Sequence, residues 1–355
     1  EQKGAVEMND RWMRALSELR DTLARVPKDT DLQNIINARD EVFTRYQSIF
    51  SLNNLPNLSV EEFSSFLYFE NNKHWSGLHR HVGKLTADMD KLRHALTILL
   101  NENRPLAERF DEVVSSSMVK GLGKGLATAI LLVAYPERYG VWNNTSEAAL
   151  RQMGIWPEFD RNTTLGQRYA IINDLLRKLS DELEVDLWTL DALFWGIVKK
   201  EEDTETKMPV IEHGFRLERH LQDFLIDNWE RTELGQEWEI YRETGDEEAG
   251  FEYPTDAGRI DILARHKSRP EWLVVELKKD QSTDRVIGQI LRYMGWVKKN
   301  LASPREEVKG LIISSDVDKN LQYALAVFPP GYIRVMCYRV QLFLEPVGLD
   351  DKKDT

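Results

Sequence analysis

Gly258-Arg259-Ile260-Asp261-Ile262-Leu263-Ala264 and, after a short gap, Trp272-Leu273-Val274-Val275-Glu276-Leu277-Lys278 are the segments on which the reading of this chain turns. The second is a continuous apolar run too short for a typical helix, so it reads as a buried strand with two charged residues at its end. Buried strands rarely hold charge without a partner. Residues two apart on a strand share a face, so Glu276 and Lys278 point the same way, and Asp261 at the end of a neighbouring strand is able to meet them. Two carboxylates that hold a divalent cation beside one ammonium have the chemistry of metal-dependent phosphodiester cleavage.

Asp261, a gap of fourteen residues and then Glu276-Leu277-Lys278 resemble the PD-(D/E)XK nuclease signature. The following segment narrows the resemblance: Val286-Ile287-Gly288-Gln289-Ile290-Leu291-Arg292-Tyr293-Met294-Gly295-Trp296-Val297 reads as a helix. Together the three motifs resemble the C-terminal catalytic domain of the NucS/EndoMS endonucleases, over roughly residues 211–346. The resemblance implies a restriction-endonuclease-like mixed sheet flanked by helices. It does not extend to the N-terminal half, which reads as helical rather than as the β-rich DNA-binding domain of that family, so mismatch or branched-DNA specificity is not carried over.

Asp261 and Glu276 are the expected metal ligands, with the Leu277 carbonyl as a third, and hard oxygen ligands of this kind select Mg²⁺ or Mn²⁺ over zinc. Lys278 is placed to orient the attacking water and to stabilise growing negative charge. By the resemblance, an acidic residue on the first core helix assists the metal. Glu218, on the edge of that helix's apolar face, is the candidate, and Glu212 is its alternative. Arg285, Gln289, Arg292 and Trp296 fall on one face of the later helix, with Ile287, Ile290, Leu291 and Met294 on the buried one. A solvated row is the default for such residues; the resemblance gives Gln289 a water- or phosphate-positioning role and makes Arg285 and Arg292 DNA contacts. Arg259, beside Asp261 in sequence, joins them.

Composition sets the bounds. With 355 residues, 42% of them hydrophobic, the chain is long enough for two domains with their own cores. The net charge of −12, from 47 basic and 59 acidic residues, argues against a protein that coats nucleic acid non-specifically but leaves room for a local basic groove. No apolar stretch reaches the length of a membrane span, and Glu1-Gln2-Lys3-Gly4 has no signal-peptide core. Position 1 is not methionine, as in a processed or trimmed chain. The single cysteine, Cys337, excludes an internal disulfide framework and a cysteine-based zinc site, so a reducing cytoplasm is expected.

The expected fold class is α + α/β: an all-helical N-terminal domain over residues 1–200, a charged linker at 201–208, the nuclease domain at 209–349 and a tail at 350–355. Within residues 1–50, Trp12, Leu16, Leu19 and Leu23 recur at helical spacing, Pro27-Lys28-Asp29 breaks the pattern, and Leu32, Ile35, Ile36 and Val42 resume it. This pair reads either as a dimerisation hairpin, compatible with a homodimer, or as helices packed on their own domain. Ser59 and Glu62 form a capping box that opens a helix through Phe63, Phe66, Leu67 and Phe69. The C-terminal part reads as a helix at 213–229 with Leu217, Leu221, Phe224 and Leu225 on one face. Strands near 237–242, 259–264 and 271–278 follow, then the Gln289 helix, a strand at 308–314 and strand-like material at 332–345.

Val119-Lys120-Gly121-Leu122-Gly123-Lys124-Gly125-Leu126 resembles the turn of a helix-hairpin-helix module. Glycines let a backbone turn tightly and approach a phosphate, and a helix N-terminus directs amides at it. Lys120, Gly121, Gly123, Lys124 and Gly125 are therefore DNA-binding candidates, with a plain turn between packed helices as the alternative. His74 to His81, with Asn71, Asn72, Lys73 and Arg80, reads as a polar recognition surface rather than a metal site, and the aromatics of Trp188 to Trp195 as core. The whole points to a Mg²⁺- or Mn²⁺-dependent endonuclease acting on double-stranded or structured DNA in repair or defence. A catalytically silent or partner-gated nuclease-fold binding protein is the rival reading.

Overall fold

The computed structural model describes residues 2–204, 221–278 and 283–339, and helices fill the first of these stretches. They are α1 (Gln2–Arg25), α2 (Thr30–Asn37), α3 (Arg39–Tyr46), α4 (Val60–Leu67), α5 (Phe69–Asn72), α6 (Val82–Leu85), α7 (Met89–Leu99), α8 (Leu106–Phe110), α9 (Lys124–Ala134), α10 (Asn144–Gln152), α11 (Leu165–Leu183) and α12 (Leu187–Thr204). Their starts follow from local chemistry. After the Pro27 break, the Asp29 side chain accepts the Leu32 amide at 3.1 Å and opens α2. Ser59 and Glu62 close the capping box at α4. That helix stops before Phe69, because Tyr68 is extended (φ −87, ψ 132), and Phe69 is left exposed while Phe63, Phe66 and Leu67 are buried.

One core runs through these helices, from Leu16 and Leu19 through Leu32, Phe63 and Leu131 to Trp188. The Trp188 indole donates to the Ile35 carbonyl at 2.9 Å. The first helical pair therefore packs on its own domain, as the second of its two readings has it. His74 and Asn72 do not form a recognition surface. The His74 imidazole lies 3.1 Å from Asp191 and stacks on Trp75, and Asn72 is fully buried, tying the backbone of residues 66–75 together. A buried polar side chain here satisfies a loop that the polarity of the sequence made look exposed. Helix α12 continues through Thr204, and residues 205–208 of the expected linker lie outside the described residues.

The C-terminal part holds α13 (residues 221–227), α14 (Glu233–Glu237), β1 (Trp238–Ile240), β2 (Phe251–Thr255), β3 (Gly258–His266), β4 (Glu271–Leu277), α15 (Thr283–Asn300), β5 (Glu307–Ser314), α16 (Lys319–Leu325) and β6 (Ile333–Cys337). The sheet is mixed: β3 and β4 are antiparallel, while β4, β5 and β6 run parallel. Strands β1 and β2 share one edge of β3, β1 against residues 264–266 and β2 against residues 258–262, and residues 241–250 leave the edge between them. Helix α15 covers one face of the sheet through Val286, Ile290 and Met294. Leu225, Ile226 and Trp229 cover the other.

Three expectations needed correction. Strand β2 escaped the sequence reading because Pro254 reads as a breaker and Glu252 takes a positive φ of 47°; an edge position tolerates both. Helix α16 was not expected either. Phe224 is 59% exposed, since the face of α13 that meets the sheet is centred on Gln222, Leu225 and Ile226. Among the described residues, no helix is long and apolar enough to cross a membrane.

Candidate active site

The β3–β4 register pairs Ile262 with Val275 and Leu263 with Val274, so one step further Asp261 stands opposite Glu276. Leu263 and Val274 belong to the core under α15, whereas Ile262, Val275 and Leu277 belong to the opposite one. Strand alternation therefore turns Asp261 and Glu276 toward α15. Both are buried, at 9% and 4% exposure, and Asp261 accepts the Leu277 amide at 2.7 Å. Two buried carboxylates side by side repel one another, and a hard divalent cation is the partner such a pair of oxygen ligands fits. Among the described residues there is no cluster of three or more His, Cys, Asp or Glu side chains able to hold a metal. Glu218 and Glu212, expected to add a further carboxylate, lie outside the described residues.

Lys278 continues the line of β4. Its amide donates to the Ile313 carbonyl at 2.8 Å, and its ammonium, on a side chain 10% exposed, reaches Asp318 at 3.3 Å. Asp318 has two tasks: its second oxygen accepts the Leu321 amide at 2.7 Å and caps α16. Gln289 is buried on α15 at 9% exposure, and with Arg285, Gly288 and Arg292 it lines an open depression of ≈ 320 Å³. The buried face of α15 is thus rotated from the expected one. Val286, Ile290, Tyr293, Met294 and Val297 are fully inside, while Ile287 and Leu291 are half-buried.

The sequence reading missed Tyr293 and Asp318. Burial, and then the Glu276 carboxylate, push the Tyr293 hydroxyl well above the ordinary tyrosine range, with Asp261 adding to the effect. Its oxygen lies 2.6 Å from where a Cβ on Gly258 would stand, so that glycine, at φ 119°, makes room for the ring. The signal was present: Tyr293 follows Gln289 by four residues and shares its helical face. Asp318 is the second acid in Ser314-Ser315-Asp316-Val317-Asp318, just past β5. Arg259 pairs with Glu252 of β2 at 3.3 Å.

Residues 217–326 match the family described as the endonuclease NucS C-terminal domain. The matched span contains Asp261, Glu276, Lys278, Gln289 and Asp318 and is consistent with a NucS-like endonuclease C-terminal domain. The helical half lies outside it. No curated protein and no solved structure matches the chain.

The glycine turn lies far from these residues in sequence and differs in character. Gly121 takes a φ of 89°, and Lys120 is exposed. Lys124 is 5% exposed, its ammonium 3.4 Å from Glu147 and 4.9 Å above the Trp142 ring. Burial works against that charge, but Glu147, with Asp246 and Glu243 behind it, outweighs burial and holds the lysine above its ordinary pKa. Burial likewise opposes the charge of Glu147, and Lys124 and Arg151 overcome it and hold the carboxyl below its usual range. Lys124 is therefore placed as a core cation, and the turn it opens faces the NucS-like part. The Gly245 carbonyl sits 3.2 Å from where a Cβ on Gly123 would be.

Proposed function

We propose that this protein is a metal-dependent DNA endonuclease whose centre is Asp261, Glu276 and Lys278. The observation that carries the reading is their convergence: two buried carboxylates stand opposite one another on the adjacent strands β3 and β4 under α15, with the ammonium following Glu276 on the line of β4. The match to the NucS C-terminal domain over residues 217–326 supports it.

Asp261 and Glu276, with the Leu277 carbonyl, would hold Mg²⁺ or Mn²⁺, and Glu218 would complete the set. When bound, such a cation polarises the scissile phosphate and lowers the pKa of a coordinated water. Lys278 would hold the attacking water and stabilise charge developing on the phosphate; Asp318 keeps its ammonium from swinging out to solvent. Arg285 and Arg292 would receive the DNA backbone along the depression on α15, and Gln289 would position water or phosphate beside it. Residues 209–349 would form the nuclease domain and residues 1–200 the domain that selects substrate or partner.

Incubation of the full chain with linear, nicked, branched and single-stranded DNA in Mg²⁺, Mn²⁺ or EDTA tests this reading. Divalent-dependent phosphodiester cleavage is expected. DNA binding without cleavage under every condition would replace it with a silent nuclease-fold binding protein.

A further inference from the structure

The glycine turn that reads as a phosphate-binding element is covered by the NucS-like part of the same chain. Residues 241–250, which leave the sheet edge between β1 and β2, carry Glu243, Asp246, Glu247 and Glu248 and end against the helical half. The tip is shaped for its seat: a Cβ on Gly245 would fall 2.7 Å from Leu165 and 3.1 Å from Val114. The Gly245 carbonyl faces Gly123, and Asp246, Glu247 and Glu248 line the same cleft as Gly121 to Gly125, where their charge opposes a phosphate. The polar and basic groups around it face carboxylates instead. His81 lies 3.5 Å and Lys84 3.7 Å from Glu248, and Arg80 reaches Asp223 at 2.8 Å and Asp227 at 3.8 Å on α13. A cleft of ≈ 170 Å³ remains between the two sides, lined among others by Arg80, His81, Lys84, Lys120, Asp246 and Glu248.

We infer that the acidic turn at residues 243–248 is an intramolecular mask: its carboxylates line the cleft over the glycine turn and repel a DNA phosphate there, and DNA gains the turn only when the Glu248 contacts to His81 and Lys84 open. The inference rests on the proposed nuclease reading and adds its regulation. Anionic oxygens of carboxylate and phosphate suit the same cations and the same helix N-terminus at α9. Release is feasible because Glu248 and Lys84 are 25% and 49% exposed, a degree at which an ion pair is weak and salt-sensitive. Lys124 and Glu147 are buried and stay paired whether the mask is open or shut. The mask also touches the centre's scaffold, since β2 resumes directly after it and pairs with β3, the strand of Asp261.

A charge-swap cycle in the full chain tests the mask, with every variant made in an Asp261→Ala background so that binding is read without cleavage. Glu248→Lys opposes Lys84 with like charge and takes the carboxylate away from His81. It should speed amide hydrogen exchange across residues 121–126 and tighten binding of a fluorescein-labelled DNA duplex by about three- to ten-fold. Lys84→Glu should speed the same exchange. The Lys84→Glu/Glu248→Lys double variant re-forms an attractive pair and should return both exchange and affinity to those of the parent. Exchange that ignores the swap while DNA is bound, or tighter binding that persists in the double variant, overturns the mask and leaves the nuclease reading standing. Exchange that follows the swap while no variant binds DNA overturns the DNA reading on which the mask depends.

Discussion

The two charged motifs of this chain, the glycine turn at residues 119–126 and the strand pair carrying Asp261 and Glu276, both read from sequence as elements that meet DNA, and they differ in what their charges face. In the strand pair, alternation leaves a side chain only two directions, so the register that opposes Asp261 to Glu276 also turns both toward α15. In the turn, the glycines set only the path of the backbone. What lies above it is decided by tertiary packing, and here Lys124 is closed off by Glu147 and Trp142 while the acidic turn sits over Gly123. Spacing thus specifies the direction of charge on a strand far better than at a helix entry.

The largest effect expected from that contrast is at the carboxylates. Asp261→Ala or Glu276→Ala should abolish Mg²⁺- or Mn²⁺-dependent cleavage with the fold retained, because removing one of two adjacent carboxylates relieves repulsion. Plasmid nicking assays beside thermal melts check both halves, and undiminished nicking by either variant would remove these residues from the centre. Lys278→Ala should lower the single-turnover rate by roughly a hundred-fold, the scale of one charged transition-state contact, with DNA affinity little altered. If affinity and rate fell together, Lys278 would be a binding residue.

At the turn, the account expects stability rather than catalysis to respond. Lys124→Met leaves Glu147 buried with only Arg151 and the Trp142 indole, and urea denaturation should show a loss on the order of 3 kcal/mol. Lys120→Ala, at an exposed position, should leave the denaturation midpoint where it was. Equal midpoints for the two variants would erase the distinction between a core cation and a surface one.

The smallest effect is a pH dependence at His81, which faces Glu248, Arg80, Lys84 and Asp227. Burial holds the folded imidazole below its ordinary value of 6.5, and Arg80 and Lys84 act in the same direction against the pull of Glu248. The unfolded chain therefore takes up this proton first, and acidification through the ordinary histidine range favours unfolding. Urea midpoints of the wild type should fall as pH drops from about 7 to about 5, more than those of His81→Asn. Parallel pH profiles would contradict a partly buried, neutral His81.

Much of the fold was legible where one interaction dominates. The apolar run Trp272 to Leu277 leaves little choice but a central strand, and the Ser59–Glu62 capping box marks the start of its helix. Legibility failed where non-local packing decides. Strand β2 holds Pro254 because it lies at an edge, and His74 is buried because Asp191, remote in sequence, receives it. Asp261, Glu276 and Lys278 were readable as charged residues of neighbouring strands, but the Lys278–Asp318 contact depends on where α16 starts, and that helix gave too short a pattern to be seen.

The most direct measurement of the central claim is a Mn²⁺ titration followed by electron paramagnetic resonance, comparing wild type with Asp261→Ala, Glu276→Ala and Lys278→Ala in the absence of DNA. Saturable Mn²⁺ binding by wild type and Lys278→Ala, lost in both carboxylate variants, is the predicted result. Equal Mn²⁺ binding by wild type and both carboxylate variants would contradict the assignment of Asp261 and Glu276 as the metal centre.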